Sequence, residues 1–310
     1  GGNMTPEFYA NLYRQYATFM TDWSNTSKIY RIASGANGSD YHWTEVLMRD
    51  IPKGLIEGVA LHNYSVFDWG AKGPDVAFTE EQYFKTMREA LKMEELVTKH
   101  SAIMDKYDPD GKVDLIVDEW GGWYETPEGA TALYQQNTMR DAMIAGVSLN
   151  IFNNHAERVK MANLAQTVNV LQAVILTDEE KMLLTPTYHV MKMYNVHQGA
   201  TMLPVEVSDL LYFENGEEKL PAISVSASKN EGGVTNISLV NIHSTKSHEL
   251  TLEIQGKVTG QILGSDKLQD YNSFENPTKI APKEFKGFKK KGSTVTVTLP
   301  AFSVVVLEVK

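Results

Sequence analysis

Up to about Ala200 the sequence alternates short apolar runs with longer segments of helical periodicity, whereas beyond it most segments place an apolar residue at every second position. A period near 3.6 and a period of two cannot serve the same backbone, so the change marks two modules with different secondary structure. Length agrees, since 310 residues make about two domains at ~150 residues each. Charge divides at the same place: 26 acidic and 17 basic residues precede Thr201, and 13 and 12 follow it. All six arginines precede Lys160. The expected boundaries are 1–200 for an α/β domain and 201–310 for an all-β domain.

In the first module Thr5 and Pro6 have the form of a helix N-cap and first residue, and apolar residues from Phe8 to Trp23 recur near the helical period, predicting a helix from Thr5 to Trp23. Residues 28–33 lean to a strand, and Ser34-Gly35-Ala36-Asn37-Gly38 reads as the loop after it. Gly58–Tyr64 is a short buried strand ending in polar groups. Thr79-Glu80-Glu81-Gln82 is a capping box with Phe78 and Tyr83 as its staple, opening a long helix that stops at the turn Asp108-Pro109-Asp110-Gly111. Val113–Trp120 is a third strand, a helix is expected around Ala130–Ala145, and Val147–Phe152 reads as a fourth strand.

Such alternation predicts parallel strands joined by crossover helices, in a doubly wound sheet or a (β/α) barrel. Neither a dinucleotide glycine fingerprint nor a phosphate loop is present, which favours the barrel. Polar residues gather where the apolar strands end, at Asn37, at His62-Asn63-Tyr64, at Glu119 and at Asn153-Asn154-His155, positions that share the catalytic rim of a barrel. The second module, with period-two runs such as Ile223–Ser228, Gly233–Val240 and Ser303–Val309, reads as an antiparallel β-sandwich. Lys289-Lys290-Lys291 is expected in a solvated turn before one of its strands.

Several function classes are disfavoured. With no cysteine and no His-Glu-x-x-His spacing among eight histidines, neither a thiol nucleophile nor a protein metal centre is expected, and no cofactor is implied. A net charge of −10 argues against a nucleic-acid partner, and no run approaches the roughly 18 apolar residues that span a bilayer, so no membrane partner is expected either.

The segment Leu115-Ile116-Val117-Asp118-Glu119-Trp120-Gly121-Gly122-Trp123 carries the chemistry. Two adjacent carboxylates at the end of an apolar strand are costly unless exposed in a cleft or used. Side chains alternate along a strand, so Asp118 and Glu119 are expected to point apart, one toward a reaction and the other bracing loops. Trp120 and Trp123 offer flat apolar walls and the intervening glycines allow a tight turn beside a ligand, equipment suited to a sugar. A structural ion pair is the alternative reading of the carboxylates.

Asp118-Glu119-Trp120, with Trp123 four residues beyond Glu119, resembles the nucleophile motif of the family 51 α-L-arabinofuranosidases. Leu61-His62-Asn63-Tyr64, Asn153–Val159, Met161–Val170 and Leu183–Tyr188 are similar to other stretches of that family, and the likeness runs from Gly1 to about Pro204, with a C-terminal sandwich as the companion module. The resemblance implies the second half of a (β/α)8 TIM barrel, strands five to eight, followed by a jelly-roll-like antiparallel β-sandwich. It implies a retaining glycosidase that releases α-L-arabinofuranosyl residues from arabinoxylan, arabinan or their oligosaccharides. Glu119 would be the nucleophile and Tyr64 its hydrogen-bond partner, the latter otherwise a tyrosine satisfied by packing. Trp123 would wall the sugar pocket, or else belong to loop core. Gln166 would hold sugar hydroxyls, though without the family it reads as a helix-surface glutamine, and Asn37 is a substrate-binding candidate on the leaving-group side or a turn asparagine. His62, Asp118 and His155 are expected to brace the rim behind the contact residues.

In that family the acid/base glutamate follows an asparagine at the end of the fourth barrel strand, just before a loop like Gly1-Gly2-Asn3-Met4. The acid/base residue is therefore expected outside this chain, and Glu7, Glu125 and Glu128 are poor substitutes. The expected partners are the N-terminal half of the same enzyme, as a second chain or upstream segment, an arabinose-containing substrate, and further copies in a homo-oligomer. A non-catalytic carbohydrate-binding fragment and an endo-β-glycanase of a related barrel are the alternatives.

Overall fold

The computed structural model describes residues 3–131, 133–208 and 210–310, which form two compact units. The first gathers the chain up to Asn63 with Lys92–Trp120 and His155–Asn163. Helix α1, Pro6–Phe19, opens as expected: Thr5 Oγ1 accepts from Phe8 N–H and Pro6 takes the first turn. It stops at Phe19, so Trp23 lies beyond it, 97% exposed. Strands β1 (Ile32–Asn37), β2 (Gly58–Ser65), β3 (Asp114–Gly122) and β4 (Val159–Leu164) form one sheet in the order β1-β2-β3-β4. Helix α2 (Tyr41–Asp50) joins β1 to β2, and helix α3 (Glu80–Tyr107) joins β2 to β3.

The strands start together. β1 and β2 pair in parallel from Ile32↔Gly58 to Asn37↔His62, Asp114 N–H donates to the Glu57 carbonyl at 2.8 Å, and Leu115 N–H donates to the Arg158 carbonyl at 2.8 Å. Their C-terminal ends therefore lie at one edge of the sheet, with Val59, Leu61, Leu115, Ile116 and Val117 fully buried behind them. The starting edge is tied by Arg158, whose guanidinium donates to Asp108 Oδ2 at 3.0 Å and the Val113 carbonyl at 2.8 Å.

The expected loop Ser34–Gly38 is largely strand, since β1 continues through Asn37. The reason is a close approach: a Cβ on Gly35 would lie 1.5 Å from the Ala60 carbonyl oxygen, so the small residues that resemble loop composition are there to let β1 meet β2. The register is irregular between Ala33 and Ala36, as expected of a bulge.

The second unit gathers Tyr64–Leu91, Gly121–Asn154 and the chain from Leu164 onward. The helix expected at Ala130–Ala145 and the strand expected at Val147–Phe152 are one helix, α4, Met139–Asn154. Almost every residue of α4 is buried, so it lacks the polar face that would reveal a helical period, and its apolar end mimics a buried strand. A hairpin, β5 (Ile175–Asp178) with β6 (Lys181–Leu184), and helix α5 (Pro186–Tyr194), capped by Thr185, precede the sandwich.

The sandwich strands are β7 (Thr201–Leu203), β8 (Tyr212–Asn215), β9 (Glu218–Pro221), β10 (Ile223–Lys229), β11 (Thr235–Asn241), β12 (His248–Glu253), β13 (Val258–Leu263), β14 (Lys283–Glu284), β15 (Phe288–Lys291), β16 (Thr294–Leu299) and β17 (Ser303–Val309). One sheet runs β14-β13-β17-β11-β10-β7 and the other β12-β16-β15, with β8 and β9 a separate hairpin. Ile237, Leu239, Val305 and Leu307 of the first sheet share a core with Val295, Val297 and Leu299 of the second. Lys289–Lys291 is not in a turn. It forms most of β15, held by pairing with β16 through the left-handed Gly292, with its side chains exposed.

Helix α4 lies against the larger sheet. Gly146 faces Val240, a Cβ there lying 2.8 Å from its Cγ2, and Asn150 accepts from Ser226 Oγ at 2.8 Å and Tyr194 Oη at 2.9 Å. This packing groups α4 with the sandwich, so the compact units do not part at Ala200, where charge and periodicity change.

Candidate active site

At the C-terminal edge of the parallel sheet, β2 and β3 of the first unit bring three titratable groups together. His62 Nε2 lies 2.8 Å from Asp118 Oδ1, and His62 Nδ1 lies 3.3 Å from Glu119 Oε2. One imidazole touches both Asp118 and Glu119, a carboxylate at each ring nitrogen. The three are partly open, with side chains 39% (His62), 32% (Asp118) and 39% (Glu119) exposed. The contact with Asp118 raises the His62 pKa above its ordinary value against the opposing effect of burial, and the charges of both carboxylates add to it. At these distances a protonated ring is attracted by both carboxylates at once.

Asn37 stands opposite His62 in the β1–β2 register and is exposed. The turn after it is fixed from behind: Gly38 N–H donates to the His62 carbonyl at 2.8 Å, and the Gly38 carbonyl accepts from His100 Nε2 at 2.9 Å. That bond places the proton of fully buried His100 on Nε2, leaving Nδ1 to accept from Thr44 Oγ1 at 2.8 Å. His100 was missed in the sequence, although it shares a face of α3 with buried Met93, Leu96, Val97 and Met104.

The continuations of β2 and β3 belong to the second unit and carry an aromatic cluster. The Tyr64 and Trp123 rings meet edge to face at 5.2 Å, and Trp69 meets Trp123 the same way at 5.5 Å. Lys72 Nζ lies 5.5 Å from the Trp123 ring centroid and 5.9 Å from that of Trp69. Trp69, 57% exposed, and Lys72 were not anticipated; the visible signal was a tryptophan five residues beyond the polar end of a strand. Gln166 is exposed in the loop after β4, at the strand's C-terminal end and not on a helix.

His155, Asn153 and Asn154 do not lie at the C-terminal edge of the sheet as expected. His155 precedes β4 and contacts Glu94 at 2.6 Å through Nε2, at the starting edge of the sheet, away from the Asp118–His62–Glu119 group. Asn153 donates to Ser226 Oγ at 3.1 Å and Asn154 to the Val225 carbonyl at 2.9 Å, so both serve the packing of α4 on β10. Their expected place at the rim followed from reading α4 as a strand.

Residues 118–303, which begin at this carboxylate pair, match the profile of the α-L-arabinofuranosidase C-terminal domain. The chain belongs to the family 51 α-L-arabinofuranosidases. It is 44% identical to an intracellular exo-α-L-arabinofuranosidase of Bacteroides ovatus, in a match covering 100% of this chain and 61% of that protein. The crystal structure of the family 51 arabinofuranosidase from Xanthomonas axonopodis pv. citri superposes with a TM-score of 0.96 at 44% identity, over 100% of this chain and 64% of that one. The α-L-arabinofuranosidase of Thermotoga maritima, solved as an arabinose complex, shares the fold with a TM-score of 0.80 at 21% identity, over 99% of this chain and 63% of that one. This family 51 chain thus spans somewhat less than two thirds of the length of these relatives.

Proposed function

We propose that this chain carries the nucleophile half of a retaining α-L-arabinofuranosidase acting on arabinoxylan, arabinan or their oligosaccharides. The observation that carries the reading is Glu119 in the C-terminal half of β3, meeting with Asp118 on one imidazole. In the first step Glu119 attacks the anomeric carbon and forms a glycosyl ester while a second carboxyl group protonates the departing oxygen; in the second, water activated by that group releases arabinose and frees Glu119. Protonated His62 would orient Glu119. Tyr64, Trp123, Gln166 and Asn37 would hold the sugar, with Asn37 on the leaving-group side.

Four strands in sequential order with aligned starts and polar C-terminal ends support half of a (β/α)8 barrel over 1–200, with the sandwich over 201–310. β1 and β4 are sheet edges, Tyr30 and Ile32 are exposed at the start of β1, and Phe19 and Trp23 are exposed at and beyond the end of α1. In this reading residues outside the chain cover that surface, close the barrel and supply the acid/base carboxyl.

An activated 2-fluoro-arabinofuranoside tests the nucleophile, because its good leaving group needs no acid. Intact mass should rise by one glycosyl group, and proteolysis should place it on the peptide containing Glu119. Glu119→Gln should abolish the adduct while lowering the melting temperature by no more than about 2 °C, the loss of one partly exposed ion pair. A label on another carboxylate would overturn the assignment.

A further inference from the structure

The backbone on either side of Trp123 is held by two buried glutamine side chains that no step of the proposed reaction uses. Gln172 Oε1 accepts from Gly122 N–H at 2.6 Å, while its Nε2 donates to the Asp141 carbonyl at 2.8 Å and to Thr187 Oγ1 at 3.2 Å. Gln135 Oε1 accepts from Tyr124 N–H at 3.0 Å, and its Nε2 donates to the Gly122 carbonyl at 3.1 Å. Three backbone groups flanking Trp123 are thus bonded to side chains, and both glutamines are almost wholly buried.

The surroundings leave this segment little alternative. Gly121 has φ +137°, and a Cβ there would lie 3.0 Å from Gln172 Oε1; a Cβ on Gly122 would lie 2.5 Å from Tyr124 Oη. Tyr124 is clamped in turn, its hydroxyl 3.2 Å from Asp141 Oδ1 and its ring 3.5 Å beneath the Arg140 guanidinium. The indole of Trp123 is therefore the half-buried, ligand-accessible part of a segment whose neighbours are fixed by hydrogen bonds and whose ring meets Tyr64 and Trp69. A platform for a sugar ring must be held within fractions of an ångström to favour one ring over another, and such precision comes from supporting residues.

We infer that Gln135 and Gln172 are positioning residues that fix the Trp123 indole and thereby set how tightly an arabinofuranosyl ring is held. The inference rests on the reading of Trp123 as a sugar wall. It assigns a role to Gln172, which the sequence shows only as a polar residue between Leu171 and Ala173.

The test uses the full chain labelled with 5-fluorotryptophan, whose five indoles are resolved by fluorine NMR and assigned by single substitutions, titrated with methyl α-L-arabinofuranoside. Gln135→Met and Gln172→Met keep volume and remove the hydrogen bonds, and two separate variants guard against one failing to fold. Each should move or broaden the Trp123 resonance, leave that of Trp43 in place, and weaken binding by about tenfold, on the order of one buried hydrogen bond. In a Trp123→Ala background the same substitutions should change the affinity less than twofold while lowering the melting temperature as before. An unmoved Trp123 resonance, or equal weakening in both backgrounds, would overturn the inference and reduce the glutamines to fold supports. If the unsubstituted chain does not bind the glycoside, or Trp123→Ala binds it as well as the parent, the sugar-wall reading and the binding role fall together, and the resonance still decides whether the glutamines position the indole.

Discussion

Glutamine in place of His62 keeps a polar side chain at the end of β2 but cannot become positive between Asp118 and Glu119. Each carboxylate contact is about one third open to water, so screening limits it to roughly 0.5–1 kcal/mol, and the two together to about 1–2 kcal/mol. In a chain of this size that corresponds to a melting-temperature loss of roughly 2–4 °C. The pH dependence makes the prediction specific. The carboxylates raise the folded-state pKa of His62 above its unfolded value of about 6.5, so the stabilisation is fully present below that value and fades as pH rises through the elevated pKa. Thermal melts of the parent and His62→Gln between pH 5 and 9 should show the widest gap at the acidic end and convergence at the alkaline end. Formation of the glycosyl adduct should slow in the parent over the same alkaline range if the imidazolium orients Glu119. A gap that is constant with pH, or that widens as pH rises, would refute the bridging imidazolium.

Gly35→Ala should destabilise the chain more than its single methyl suggests, by several kcal/mol, because the Cβ cannot coexist with the Ala60 carbonyl unless β1 moves from β2; chemical denaturation measures the loss, and a change below about 1 kcal/mol would contradict the close approach. His197 joins Ser228 Oγ at 2.7 Å and Ser238 Oγ at 2.6 Å, and burial lowers its pKa to about 4. The neutral ring is therefore favoured in the folded state, and up to about 3 kcal/mol of stability present above pH 6.5 should be lost as pH falls toward 4. Denaturant midpoints for the parent and His197→Gln over that interval should approach one another as the pH drops.

The sequence was most legible where a local rule has one structural outcome. Thr5-Pro6 and Thr79–Gln82 specify helix starts through their own hydrogen bonds, and both caps form, with Thr79 N–H donating to Gln82 Oε1 at 2.9 Å and Gln82 N–H to Thr79 Oγ1 at 3.2 Å. Strands β2 and β3 and the alternating runs of the sandwich were visible for the same reason. What failed depended on distant partners. Ser34–Asn37 has loop composition because β2 needs the space, and α4 has no polar face because the sandwich takes the side that would otherwise meet water. In the candidate site, Asp118, Glu119 and His62 could be singled out by residue type at a strand end, but their meeting on one ring depends on the register of separate strands. Trp69 and Lys72 lie in a loop whose course no periodicity describes.

The burial of α4 also sets an order of events during synthesis. Gly146 rests near Val240 and Val304, so one side of the helix stays wet until residues far along the sequence have left the ribosome. At 5–20 residues per second that delay is roughly 10–30 s. Throughout it the apolar helix between β3 and β4 lacks its cover, so apolar surface stays open to water until the last strands arrive.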